Sequence, residues 1–594
     1  MCGIHGFNFK DEALLSAMIA NAHHRGPDGN GSFFSEHLSL GHNLLYITER
    51  PEHSRQPWVL EDGRFVLSFN GEIYNYRELR KELQSTGEKF HTDCDTEVLA
   101  IGLRKYGKVF IENLDGMFAF AWYDSDKQSL LLARDPGGMK PLYYYNQNNR
   151  FVFSSELSSL LLHGMERKFD QQSLGIYMQL GYIPGPKTLI KNIFKLSPGE
   201  VIEVALANGE IKNRQMNCDR INKSKTDFDV AAYSKKFTQS IEHAMIGIRQ
   251  FGLYLSGGLD SSAILHETCE LGFKPITLST RFETKNDKEF NEDAECAKKL
   301  SQHYGTKHIE VCITEKDFID AIEPTYLALE EPRYNRNTPA YYLAAKAMAD
   351  SGVTITLSGD GGDEMLTGYP HHSALVFLHN TDPSLWQDFK RFVKLNYTEA
   401  TNNSDKTIER WCEAFRFPTV LPEMEKVHNL NEYMKTWLKL RSISNDIINN
   451  QLFLEQLGWL PEDALIRNDK LGMHFSMEAR FPFLSRQFRE YTMSIPHKQK
   501  LSANQSKLMA RQALEGKLPG YILNKRKSGW TTPVRDWNKK GKFGERIKEI
   551  MSRDYYAPLY DMPDFAAIVA NENLKTRYAC LYLQVWAKQF KVTA

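Results

Sequence analysis

Leu255-Ser256-Gly257-Gly258-Leu259-Asp260-Ser261-Ser262 joins an apolar run, residues 251–255, to a segment with helical spacing, residues 261–271. The run reads as a buried strand, and the paired glycines as the turn that ends it. Two adjacent glycines let the backbone come close to a bulky anion, which hydroxyls and free N–H groups at a helix start can hold. No Lys follows the glycines, so this is not the GxxxxGK[ST] phosphate loop. Working outward, strand-like runs recur at 275–279, 308–311 and 353–357, with helical stretches at 291–304, 316–329 and 340–350 between them. A further helix is expected at 230–248, leading into the first strand. Such alternation predicts a doubly wound parallel sheet with its ligands at the carboxyl ends of the strands.

A chain of 594 residues has room for two or three cores. Its 42% hydrophobic and 25% charged content is that of a globular protein. Lys+Arg and Asp+Glu both number 74, so no global basic field points to nucleic acid. No apolar run is long enough to span a bilayer, and the N-terminus lacks the pattern of a secretory signal. The eight cysteines are scattered without a CxxC, the pattern of reduced thiols in a cytoplasmic protein.

The first loop resembles the SGGxDS loop of the PP-loop ATP pyrophosphatases, which split ATP into AMP and pyrophosphate to activate a carbonyl or carboxyl group. A second loop, Leu357-Ser358-Gly359-Asp360-Gly361-Gly362-Asp363-Glu364 followed by Gly368-Tyr369, resembles the SGxGxDE…GGY loop of asparagine synthetases. The resemblance implies an ATP site at Leu255, Ser256, Gly257, Gly258, Asp260, Ser261, Thr280, Ser358 and Gly359. It also implies Mg²⁺ ligation by Asp260 and Asp363, because departing pyrophosphate needs its charge neutralised. Asp360 stands where that family often has a Glu associated with the acceptor. Lys525-Arg526-Lys527-Ser528-Gly529-Trp530 resembles the family's KxGF element, and Lys527 takes its pyrophosphate-steadying role. The many aromatics from Phe377 to Trp437 read as core.

At the other end of the chain, Cys2 follows the initiator Met. Removal of Met1 gives the thiol and a free α-amine to one residue, and an amine titrating near pH ~7.7–8.0 can activate its own side chain. Met1-Cys2-Gly3-Ile4, His24-Arg25-Gly26-Pro27-Asp28, Asn70-Gly71-Glu72-Ile73-Tyr74-Asn75 and Asp95-Thr96-Glu97 together resemble the class II glutamine amidotransferases. In these N-terminal-nucleophile domains the Cys attacks the glutamine amide and releases ammonia. The resemblance makes Asn70 and Gly71 the oxyanion donors and Glu72 and Asp95 the holders of the glutamine α-amine. Residues 64–74 and 116–122 read as strands, and several short alternating strands suggest an αββα sandwich.

One position departs from that family. Its Gly-His-x-Arg-Leu becomes Gly41-His42-Asn43-Leu44-Leu45, and a Leu cannot replace the Arg that pairs with the glutamine α-carboxylate. Either a nearby cation such as Arg50 takes over, or glutamine binds weakly, or the nitrogen donor differs. Further departures are the basic, aromatic Arg333-Tyr334-Asn335-Arg336, which reads either as an acceptor-recognition loop or as solvated packing, and Lys470 and Ser485.

The resemblance to glutamine-hydrolysing asparagine synthetases covers nearly the whole chain. It implies an amidotransferase domain over 2–205, a polar boundary over 206–229 and a synthetase domain over 230–594. The expected reaction adenylates a carboxylate with ATP and Mg²⁺ and converts it to an amide with ammonia from glutamine. Aspartate is the family's acceptor. The departures keep open a sugar uronate or natural-product acid, and a catalytically impaired regulatory homologue remains the reading from another class. Partners are then small molecules rather than nucleic acid or membrane, with a homodimer as candidate assembly.

Overall fold

The computed structural model describes residues 2–48, 51–216, 226–369, 371–373, 376, 446–502, 505–525, 530–562, 565–570 and 574–594. The aromatics expected as core at 377–437 lie outside these residues, as do Arg50 and Lys527.

The first part of the chain builds two antiparallel sheets. Its strands are β1 (Gly3–Phe7), β2 (Gly29–Ser35), β3 (Leu38–Leu44), β4 (Trp58–Leu60), β5 (Phe65–Ile73) and β6 (Gly116–Asp124). They continue as β7 (Ser129–Arg134), β8 (Tyr143–Gln147), β9 (Arg150–Ser154), β10 (Ile193–Lys195), β11 (Glu200–Ala205) and β12 (Ile211–Met216). One sheet runs β10-β8-β9-β1-β3-β2 and the other β12-β11-β7-β6-β5-β4. Strand β6 shows why they stack. Its Ala119 and Ala121 enter the core between the sheets with Ile4, Leu40, Val66 and Phe153. Its Phe118, Phe120 and Trp122 point the other way, under Leu79 and Leu83 of the helix Tyr76–Ser85 and Val98 and Leu99 of the helix Asp95–Tyr106. The outer face of the first sheet is covered by the helix Glu12–Asn21, whose Leu15 and Met18 are buried. This is the expected αββα sandwich. Strand β12 falls inside the stretch expected as polar boundary. Its polar residues suit an exposed sheet edge, which charge protects from further pairing.

The second part is an all-parallel sheet ordered β15-β14-β13-β16-β17, with β13 (Phe251–Tyr254), β14 (Ile276–Phe282), β15 (His308–Ile313), β16 (Ile355–Leu357) and β17 (Glu478–Arg480). Four of these strands match the sequence expectation. The fifth, β17, comes from more than a hundred residues downstream and has three residues, too few for periodicity to reveal; its register pairs Ile355 with Glu478.

Two expected helices are corrected. The stretch 316–329 is two helices, Glu315–Asp320 and Ile322–Leu329, because a capping box of Thr314 and Asp317 starts the first and Pro324 sits in the opening turn of the second. The helix expected at 230–248 ends at Ala244, since Gly247 takes φ +154° and the Ile248 N–H donates to the Ile47 carbonyl at 2.9 Å. That crossing ties the parallel sheet to the sandwich. No helix among the described residues is long and apolar enough to cross a membrane.

Candidate active site

Cys2 precedes β1 and is 6% exposed. Its backbone nitrogen donates to Asn70 Oδ1 at 3.0 Å. The other end of that amide, Asn70 Nδ2, is buried with no hydrogen-bond partner among the described residues. An unsatisfied buried donor costs about 1–3 kcal/mol, so its persistence beside a thiol suits a ligand oxygen. Gly71 follows on β5, where a Cβ would run into the Met117 carbonyl. Burial pushes the Cys2 thiol above its usual pKa, opposed by a hydrogen bond from the Leu45 backbone. Arg25 is fully buried, and its Nε donates to the Cys2 carbonyl at 3.1 Å, so it braces the chain at the thiol rather than facing solvent. The six described cysteines are free thiols.

Glu72 and Asp95 lie buried nearby, at 2% and 4% exposure. Asp95 Oδ2 accepts from the Ile73 N–H at 2.9 Å. Burial pushes its carboxyl up to about 6 against that bond. Burial, then the Asp95 charge, hold the Glu72 carboxyl well above the ordinary range, and Glu72 Oε1 has no hydrogen-bond partner among the described residues. Two adjacent buried carboxylates are poised for a cation such as an ammonium.

Leu44 is buried and supplies no charge. Its neighbours Leu45 and Ile47 join the apolar cluster shared with the parallel sheet, which leaves Leu44 and Tyr46 on the alternate face. On Tyr46 a cation arrives from the other half of the chain. The Arg249 guanidinium lies 4.3 Å from the Tyr46 ring centre and 3.5 Å from both Asp28 Oδ2 and Thr354 Oγ1. Contacts that long leave its hydrogen-bonding capacity largely unspent.

The phosphate loop builds the second site. Gly257 has φ +67°, and a Cβ there would strike the Asp293 carbonyl, so glycine is required. Ser256 and Ser261 bond across the turn at 3.0 Å. The helix Leu259–Glu270 then starts without a side-chain cap, leaving its first N–H groups for a ligand. A cavity of about 350 Å³ opens here, lined by Leu255, Ser256, Gly258, Asp260, Ser261, Thr280, Ser358, Gly359, Asp360 and Asp363. Of the residues expected at the nucleotide, only Gly257 fails to line it; its backbone shapes the turn and its Cα faces Asp293.

Lys507, which the sequence alone did not single out, forms ion pairs with both Asp260 and Asp363. The two carboxylates therefore converge within reach of one point charge. Asp260 Oδ1 is buried and has no hydrogen-bond partner among the described residues. Two convergent hard-oxygen donors at the mouth of a phosphate loop fit Mg²⁺. Lys507 holds φ +58°, a left-handed backbone rare outside glycine and common at functional sites. Trp530 donates Nε1–H to Thr280 Oγ1 at 2.8 Å and also lines the cavity.

Between the sites runs a buried charge network. Arg25 pairs with Glu156 at 2.8 Å and Asp469 at 2.9 Å, and Lys470 pairs with Glu156 at 2.8 Å and Glu330 at 2.6 Å. Lys195 bridges Glu462 at 2.7 Å and Glu331 at 3.4 Å, and Arg333 reaches Glu331 at 3.3 Å. Arg333, read from the sequence as acceptor recognition or solvated packing, is 1% exposed and belongs to this interface. Of its loop, only Asn335 lines the cavity.

One chain thus joins an N-terminal-cysteine sandwich to a phosphate-loop sheet, the architecture of a glutamine amidotransferase fused to an ATP-using synthetase. Residues 1–216 match the glutamine amidotransferase domain family and residues 232–590 the asparagine synthase family. The chain belongs to the asparagine synthase family. It is 30% identical to asparagine synthetase [glutamine-hydrolyzing] 1 of Bacillus subtilis over 99% of this chain and 96% of that protein. Asparagine synthetase [glutamine-hydrolyzing] 3 of the same organism is 28% identical over 93% of this chain and 90% of its own length. Amidase chry2 of Gibberella zeae is 23% identical over 89% and 86%. The protein is an ATP-dependent ligase with a glutamine-hydrolysing domain.

Proposed function

We propose that the protein converts aspartate to asparagine, with glutamine as nitrogen donor and Mg²⁺ at Asp260 and Asp363. The observation that carries this is the pairing, in one chain, of the Cys2–Asn70 site with the phosphate-loop cavity. The sandwich through β12 forms the glutaminase unit and residues 230–594 the synthetase unit, so the connection is shorter than the 206–229 expected.

In the cavity, the acceptor carboxylate oxygen attacks the α-phosphorus of ATP. An oxygen–phosphorus bond forms as the bond to the bridging oxygen breaks, and pyrophosphate leaves. Mg²⁺ held by Asp260 and Asp363 would supply neutralising charge to that leaving group. Lys507 adds cationic character at the phosphates, a role the family resemblance also gives to Lys527, and Asp360 faces the acceptor. At the other site the Cys2 thiolate, formed by proton transfer to its own α-amine, attacks the glutamine side-chain carbonyl. Asn70 Nδ2 and the Gly71 N–H receive the oxyanion, each donor contributing about 3–4 kcal/mol. Ammonia departs, and water hydrolyses the thioester to glutamate. Glu72 and Asp95 hold the glutamine ammonium, and Arg249 supplies the cation that Leu44 does not. Ammonia then adds to the acyl carbon, AMP leaves, and loss of a proton completes the amide. Separation of the sites keeps the acyl-adenylate from water.

Cys2→Ala tests this division. Glutamine-dependent amide formation should vanish while ammonia-dependent formation persists at near the original rate. Loss of both in a folded variant contradicts two separate sites.

A further inference from the structure

The cavity that receives ATP is lined by four described cations, Arg467, Lys507, Arg511 and Lys525, and they are not equivalent. Lys507 is held by Asp260 and Asp363. Lys525 is held by Asp293. Arg511 spends its guanidinium on the carbonyls of Ser506, Leu523 and Lys525. Arg467 differs. Its Nη1 pairs with Asp463 at 2.8 Å, but its Nε is buried with no hydrogen-bond partner among the described residues. The side chain is only 3% exposed, and its guanidinium is stacked 4.3 Å from the Tyr341 ring centre. A planar fork fixed by a ring and one carboxylate, with an unspent donor edge, is built to receive a carboxylate side-on.

Its surroundings narrow the class of ligand. Arg467 is followed by Asn468, whose Nδ2–H donates to Asp360 Oδ2 at 2.9 Å, and Ser358 also donates to that oxygen. Asp360 is thus bonded to an amide and a hydroxyl, with no hydrogen bond to the guanidinium. The cavity wall therefore offers a cation and an anion side by side. An acceptor that directs one carboxylate at the α-phosphorus brings any second anionic group close to the triphosphate, where repulsion opposes binding unless a fixed cation meets it.

We propose that Arg467 is the specificity residue of the synthetase site, binding the non-reacting α-carboxylate of an amino dicarboxylic acceptor while Asp360 faces its ammonium. This rests on the aspartate-amidating reading above. It assigns selection of the acceptor to a residue on the helix Ile466–His474 rather than to either loop.

The test is pyrophosphate release by the full chain with MgATP and ammonium, comparing aspartate with β-alanine, which is aspartate without its α-carboxylate. Arg467→Met should raise the aspartate KM about 10–100-fold, the size of a lost charge-assisted hydrogen bond, and leave kcat/KM for β-alanine and the KM for ATP unchanged. Arg467→Lys should recover part of the loss. Retained glutamine hydrolysis shows that the variant is folded. Equal losses for both acids, or a raised ATP KM, overturn the inference by assigning Arg467 to the nucleotide. Wild-type silence with aspartate alongside turnover of a monocarboxylic acid overturns instead the reading beneath it, and the inference with it.

Discussion

Arg480 Nη2 lies 3.5 Å from Glu72 Oε2, although the two residues belong to different halves of the chain. Arg480 ends β17 and is fully buried. Its Nε pairs with Glu478 at 2.5 Å, and its Nη1 donates to the carbonyls of Ala244 and Ile246, where the helix Val230–Ala244 has just ended. One guanidinium therefore fixes the edge of the parallel sheet, the crossing segment and a carboxylate of the proposed glutamine pocket. Removing one partner of such a buried set costs about 3–5 kcal/mol, because the remaining charges stay buried. The proposed glutamine pocket is in this sense completed by the synthetase half.

Asn70→Ala removes the unpartnered Nδ2 beside Cys2 without touching the cavity. Glutamine hydrolysis should lose about 10²–10³-fold in kcat, with a smaller change in KM, because the donor is asked to act on the oxyanion and not on the ground state. Ammonia-dependent synthesis should be unchanged. Steady-state kinetics with each nitrogen source check both.

The pH profile of glutamine use follows from Asp95. Burial raises its carboxyl to about 6, opposed by the Ile73 N–H, with Glu478 adding repulsion. Glutamine's ammonium needs the ionised form, so kcat/KM for glutamine should fall as pH drops through about 6. Asp95→Asn should remove that limb and raise the glutamine KM at neutral pH. For stability the sign is opposite. A carboxyl raised on folding contributes most below its ordinary value of 3.8, and that contribution is lost as pH rises through about 6.

Arg249→Ala tests the cation that faces Tyr46. The glutamine KM should rise about 10–100-fold while ammonia-dependent kcat stays the same, the loss expected for a charge-assisted bond. Arg249→Lys should fall between, since an ammonium keeps the charge but not the planar fork. An unchanged glutamine KM in Arg249→Ala would return the carboxylate to another cation.

Much of this was legible in the sequence for physical reasons that can be named. Phosphate loops need glycine and hydroxyls in a fixed order, so Leu255–Ser262 announced its own turn. Strand β6 was visible because both of its faces are buried and its apolar run is unbroken. Tertiary neighbours were not visible. Strand β17 pairs across 122 residues, as Thr356 Oγ1 donating to the Glu478 carbonyl shows, and nothing local marks it. Arg333, open in the sequence between acceptor recognition and solvated packing, is buried against its chain neighbour Glu331, which Lys195 from a distant segment also meets. Arg249 could have been suspected from the early stop at Gly247, which brings it beside Ile47. Arg467 carried a fainter signal, a polar Arg-Asn-Asp-Lys run inside a helix whose residues 469–473 are buried.

The most direct measurement is amide formation with MgATP and glutamine, screened over aspartate and a panel of uronic and other carboxylic acids. The account predicts strong turnover with aspartate, yielding asparagine, AMP, pyrophosphate and glutamate in equal amounts. No product from aspartate, with turnover of another acid in the panel, would contradict it.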